Sequence, residues 1–149
     1  MEAEIKVFHG HSAALADVLW GLEKKIFDAP YSKEKIIRES SVKPNLISLV
    51  ACIKEEVVGY KTGYEMSSRL FYSWMGGVVP AHRNKGIAGR LMAEQHSRIK
   101  QQGYKVVRTH TENRFRDMLI LNIRSGFDVV GLMQDNTKPK TVIVLDKVL

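Results

Sequence analysis

Apolar positions along this chain change period several times, and each change marks an element. Residues Glu4 to Phe8 alternate between polar and apolar, the habit of a strand with one wet face. Leu15, Leu19, Leu22 and Ile26 then recur every three or four residues behind Ser12, which predicts an amphipathic helix with a hydroxyl at its N-cap. Asp28-Ala29-Pro30 breaks that helix, and Ser32 can cap a second, shorter one running through about Glu39. Pro44-Asn45 closes the helical region. Three β-rich stretches follow, Leu46 to Ile53, Val57 to Tyr64 and Leu70 to Val79, joined by the short polar connections Lys54-Glu55-Glu56 and Glu65 to Arg69. Short connections between strands predict an antiparallel meander.

The second half changes period again. Ile87, Leu91 and Ile99 carry a helical stripe up to Gly103, a natural residue just past a helix end. Tyr104 to Thr111 reads as a strand, Arg114 to Ser125 as a helix stopped by Gly126, and Phe127 to Met133 and Thr141 to Leu145 as two last strands around the turn-rich segment Asp135 to Pro139. The order is β α α β β β α β α β β. A meander feeding a strand-helix-strand unit predicts an α/β fold, a mixed and mostly antiparallel sheet of about seven strands flanked by about four helices.

Composition narrows the setting. With 149 residues, 44% of them apolar, the chain suits a single domain over residues 1–149. The longest apolar run, Leu46 to Ile53, is too short to cross a bilayer, and the charged N-terminal residues lack the apolar region of a secretion signal. A soluble cytoplasmic protein with no membrane partner is expected. Cys52, the only cysteine, lies in an apolar strand and reads as a buried, inert thiol. The net charge is +7, and between Arg83 and Arg108 seven Lys or Arg residues face one acid, Glu94. No helix-turn-helix spacing, zinc-ligand pattern or RNA-binding aromatic motif accompanies that excess, so neither a metal nor nucleic acid is expected. An anionic small ligand accounts for the placement with fewer assumptions.

The positive cluster surrounds Val78-Val79-Pro80-Ala81-His82-Arg83-Asn84-Lys85-Gly86-Ile87-Ala88-Gly89-Arg90-Leu91-Met92. A strand runs out, Pro80 ends its ladder, and a helix opens behind a glycine-bearing loop. Backbone N–H groups and the positive helix end then converge on one spot, which suits a phosphate. The pattern Arg83-x-x-Gly86-x-Ala88 in this context resembles the acyl-CoA signature of the GNAT acyltransferase superfamily. Asn113, Met118 to Asn122 and Gly126-Phe127 resemble that family's following helix and its exit, and the element order is also the family's.

The resemblance implies a GNAT fold, acetyl-CoA as cosubstrate and transfer of an acetyl group to an amine by direct attack in a ternary complex. It implies that Arg83, Asn84, Lys85, Gly86, Ile87, Ala88 and Gly89 hold the pyrophosphate of coenzyme A, with Gly86 leaving room for close approach. It further implies that the main chain of Gly76, Gly77 and Val78 lines a slot for pantetheine, and that the Val78 N–H stabilises charge on the thioester oxygen. The paired glycines mark either a bulge or a fit beneath a bulky neighbour such as Trp74. Many members carry a tyrosine acid four residues before the Gly of Gly-Phe. This chain has Asn122, which can hydrogen-bond the cofactor but is no proton donor at neutral pH.

The general base is not singled out by pattern. His110 and Glu112 are the candidates on the strand after the long helix, with Thr111, Tyr72, Trp74 and Glu65 nearby. His9, His11, His82 and His96 read as surface residues, and Asn113 as an N-cap. Acceptor choice is expected at the joint of the first two helices, where Asp28, Tyr31 and Glu34 lie, for a small-molecule or peptide amine. Two alternatives stand beside the enzyme, a catalytically silent acyl-CoA sensor and a basic nucleic-acid-binding module. The chain is expected as a monomer or homodimer.

Overall fold

Two serines set the first helices as their positions require. In the computed structural model, which describes residues 2–134 and 140–149, Ser12 Oγ accepts the Leu15 N–H at 3.1 Å and opens α1 (Ala13–Ile26). Ser32 Oγ does the same for Lys35 at 3.1 Å and opens α2 (Lys33–Ser40). Around them run β1 (Glu4–His9), β2 (Ile47–Ile53), β3 (Glu56–Ser67), β4 (Leu70–Val78), α3 (Ile87–Gln101), β5 (Val106–Glu112), α4 (Arg116–Arg124), β6 (Asp128–Gln134) and β7 (Thr141–Val148). The predicted turn Asp135 to Pro139 lies outside the described residues.

The strands form one seven-stranded sheet in the order β1-β2-β3-β4-β5-β7-β6. Short connections make β2, β3 and β4 antiparallel neighbours, whereas the helical crossover through α3 brings β5 back parallel to β4. Among the described residues that is the single parallel pairing, and the others are antiparallel. The mixed, mostly antiparallel sheet with four helices agrees with the pattern read from the chain.

Each sheet face has its own core. Leu19, Leu22 and Ile36 of α1 and α2 pack on Val50, Cys52, Tyr60 and Met75. On the other face Leu91, Met92 and Ile99 of α3 pack on Leu49, Phe71, Val107 and Leu145, with Leu119 and Leu121 of α4 against them. Cys52 is buried and unbridged.

Two features of β4 position everything that follows. It pairs with β5 only from Leu70 to Ser73, against Val106 to Thr109, after which the strands part and β5 continues against β7 alone. The bulge on β4 falls at Trp74, since Met75 faces Thr62 while Ser73 faces the adjacent Gly63. The paired glycines therefore do not form the bulge, nor do they sit beneath Trp74. A Cβ on Gly77 would come within 2.9 Å of Ile26 and 3.4 Å of Phe27, so this residue lets the end of α1 close onto the sheet.

An N-cap reading and a surface reading also change. Phe115, not Asn113, occupies the N-cap of α4, and no side chain caps it. His96 is buried against Phe127, with ring centroids 5.6 Å apart, because strand β7 and the residues leading into β6 cover that side of α3. Burial and the neighbouring Lys147 and Lys61 pull its imidazole down to about 3, so it is neutral.

Candidate active site

The loop after β4 is built by backbone conformation. Pro80–His82 form one 3-10 turn, and the left-handed residues Asn84 (φ 61) and Gly86 (φ 79) then curl the chain into α3. Gly86 is the N-cap, and Arg90 is the first residue to bond back, its N–H reaching the Gly86 carbonyl at 3.1 Å. The N–H groups of Ile87, Ala88 and Gly89 thus lack intrahelical partners. A Cβ at Gly86 or Gly89 would meet nothing within 4 Å, so the space beside both glycines is open. Unpaired N–H donors at a helix start, with Arg83 and Lys85 beside them in the loop, suit an anion.

The basic residues divide their work. Arg83 donates from Nε to the Val78 carbonyl at 3.1 Å, tying the loop to the strand end. Lys85 lines a hollow with Glu2, Ala3, Ile53 and Arg90, toward the β1 end of the molecule. Arg90 is itself committed, donating to the Ala3 carbonyl at 2.7 Å.

Behind the cradle runs the slot left by the parting of β4 and β5. It opens into a narrow pocket bounded by Gly76, Gly77 and Val78 of β4, Ala88, Leu91 and Met92 of α3, and Met118 and Leu121 of α4. Val79 donates its N–H to Val58 of β3 at 2.8 Å. By strand alternation, the N–H groups of Val78 and Gly76 point the other way, into the slot. Asn122, next to Leu121, is the one buried residue of α4.

On the opposite face, at the mouth of the fork, stands an aromatic wall. Tyr64 packs edge-on against Tyr72 and Trp74, with ring centroids 5.4 and 6.0 Å apart, and Tyr31 lies 6.4 Å from Trp74. His110, the first residue of β5 past the fork, packs at a tilt against Tyr72, ring centroids 4.8 Å apart, and places Nδ1 3.2 Å from its hydroxyl. With hydrogen on Nδ1 the ring donates to that oxygen and leaves the Nε2 lone pair free. Burial and then Arg108 hold the imidazole below its ordinary value, against Asp146. The Tyr72 phenol is pushed up by burial and stays protonated.

The other candidates are engaged elsewhere. Glu112 is bound by Arg114 at 3.1 Å and Lys140 at 3.6 Å. Glu65 accepts from the Tyr104 hydroxyl at 2.9 Å, and Thr111 is buried in the strand position between His110 and Glu112. Asp28 and Glu34 are exposed, so of the helix-joint residues only Tyr31 enters the wall. Glu23, which pattern reading passed over, holds it there. Its carboxylate is buried, accepts from the Tyr60 hydroxyl, and accepts the Tyr31 N–H at 3.2 Å. The clue was a polar residue inside the stripe of Leu19 and Leu22.

A family model described as the acetyltransferase (GNAT) family matches residues 13–118. The chain belongs to the GNAT acetyltransferase family. Acetyl-CoA is that family's acyl donor, and the free N–H groups at the start of α3 are donors suited to a diphosphate. No curated protein matches the chain. Among solved structures, Ard1 from Thermoplasma volcanium superposes with a TM-score of 0.84 at 15% identity, covering 100% of this chain and 99% of its own. The ribosomal-protein-S18-alanine N-acetyltransferase of Escherichia coli gives 0.81 at 9% identity over 97% and 94% of the two chains. A GNAT acetyltransferase from Elizabethkingia anophelis with acetyl-CoA bound gives 0.76 at 18% identity over 97% and 98%. At these identities the likeness is one of fold. The acetyltransferase has no described helix long and apolar enough to cross a membrane, and no described cluster of His, Cys, Asp and Glu suited to a metal.

Proposed function

We propose that this acetyltransferase moves an acetyl group from acetyl-CoA to an amine by direct attack within a ternary complex. The observation that carries this reading is the fork itself: donor cradle and slot on one face, aromatic wall and His110 on the other, joined where β4 leaves β5. The N–H groups from Gly86 to Gly89 and the Arg83 guanidinium hold the diphosphate, and Asn122 flanks the arm. The amine enters along Tyr31, Tyr64, Tyr72 and Trp74, loses a proton to His110 Nε2, and attacks the thioester carbon. The carbon–sulfur bond breaks, coenzyme A leaves as thiolate, and the Val78 and Gly76 N–H groups stabilise the charge on the carbonyl oxygen. Thiol pKa values lie near 8.5, so water suffices to protonate the leaving group where Asn122 replaces a tyrosine.

Incubation with acetyl-CoA and a panel of amines should release free thiol with at least one acceptor. Silence with every amine, despite measurable acetyl-CoA binding, would return the sensor alternative. Gly86→Asp tests the donor half. An added carboxylate in the open space above the helix start repels a diphosphate, so calorimetry should show acetyl-CoA binding weakened beyond detection while circular dichroism is unchanged. Unaltered affinity in that variant would refute the cradle.

A further inference from the structure

Lys61 is the charged residue that the fold does not account for. It lies in the middle of β3, opposite Gly76 of β4 in the register. A Cβ on Gly76 would lie 3.5 Å from Lys61 Cγ, so the lysine stem covers the place where Gly76 has no side chain. Lys61 also lines the pocket between β4, α3 and α4. Burial depresses its amine, to about 8, and among the described residues no carboxylate offsets the cost. Its charge is instead felt by His96, a buried polar group whose Nε2 is unpartnered among the described residues. Lys61 is part-buried, and a cation held at a pocket wall with no carboxylate against it among the described residues is left free to donate to a ligand.

We propose that Lys61 is a binding residue for the acyl donor, its amine donating a hydrogen bond to a carbonyl oxygen of the pantetheine arm within the slot. The inference rests on the acetyl-CoA reading given above. The arm offers amide and thioester carbonyls, acceptors with no charge to bring. A cationic donor on the slot wall thus adds attraction for an anionic cosubstrate without competing for the diphosphate cradle. The cradle holds the nucleotide end through main-chain groups, and Lys61 holds the arm through a side chain.

Two ligands separate these ends. Coenzyme A carries the arm, whereas 3′-phospho-ADP presents the nucleotide and diphosphate without it. By calorimetry at neutral pH, Lys61→Met should weaken coenzyme A by about tenfold or more, the usual worth of a charged hydrogen bond, and leave 3′-phospho-ADP within about twofold. Methionine keeps the length of the stem and removes a desolvated charge, so the variant should melt no lower than the wild type. Unchanged coenzyme A affinity would overturn the proposal, as would equal losses for both ligands, which mark a general electrostatic effect. If wild-type protein bound neither ligand, the cradle reading would fall first and the proposal with it. Retention of 3′-phospho-ADP binding by wild type and variant alike isolates the result to Lys61.

Discussion

At the scale of single residues, two histidines show how one physical cause serves different ends. Burial lowers the proton affinity of both His96 and His110. His96 is packed against Phe127 inside the structure, whereas His110 is half-buried at the fork with one nitrogen facing Tyr72. A depressed imidazole remains a base at pH values where a free histidine has already charged. The acid limb of kcat/KM should therefore lie below the ordinary histidine value of about 6.5, with activity falling only as pH drops through the lowered value. His110→Gln should cut kcat by about 100-fold or more and flatten that limb. A pH–rate profile retaining the same limb in the variant would remove His110 from the reaction. Glu112 makes a useful contrast, since its ion pairs with Arg114 and Lys140 give it a structural occupation.

At the scale of elements, local signals carried far. Ser12 and Ser32 announced two helix starts, and the three β-rich runs announced a meander, because caps and period-two patterns depend on nearest neighbours in sequence. The loop from Arg83 to Gly89 was legible for the same reason. What pattern could not supply was relative placement. Insertion of β7 between β5 and β6, the Trp74 bulge and the four-residue limit of the β4–β5 pairing all arise from long-range packing. Glu23 and Lys61 were missed because a polar residue within an apolar stripe has no period of its own. The link from α1 to β3 through Glu23 is open to measurement. Glu23→Ala strands the buried Tyr60 hydroxyl and frees Tyr31, and should cost about 2–4 kcal/mol in urea unfolding. It should also raise KM for the amine more than for acetyl-CoA.

For the whole molecule, the net charge is +7, and Arg83, Lys85 and Arg90 stand at the loop that begins α3. Such a field draws an anionic cosubstrate from a distance, and salt screens it. The association rate constant for coenzyme A should fall several-fold between about 0.05 and 0.5 M NaCl, with a smaller change in the dissociation rate. A salt-independent association rate would show that the surplus charge plays no part in capture. The splayed sheet has a further consequence, in the clock of amide hydrogens. From Trp74 to Val78 the side of β4 turned toward β5 has no strand beside it, although the segment lies in the centre of the sheet. Gly76 and Val78 amides should exchange with deuterium in the free protein far sooner than their neighbours Gly77 and Val79, and slow when acetyl-CoA takes the missing place. The middle of this sheet would then be its most open register, completed by the molecule it consumes.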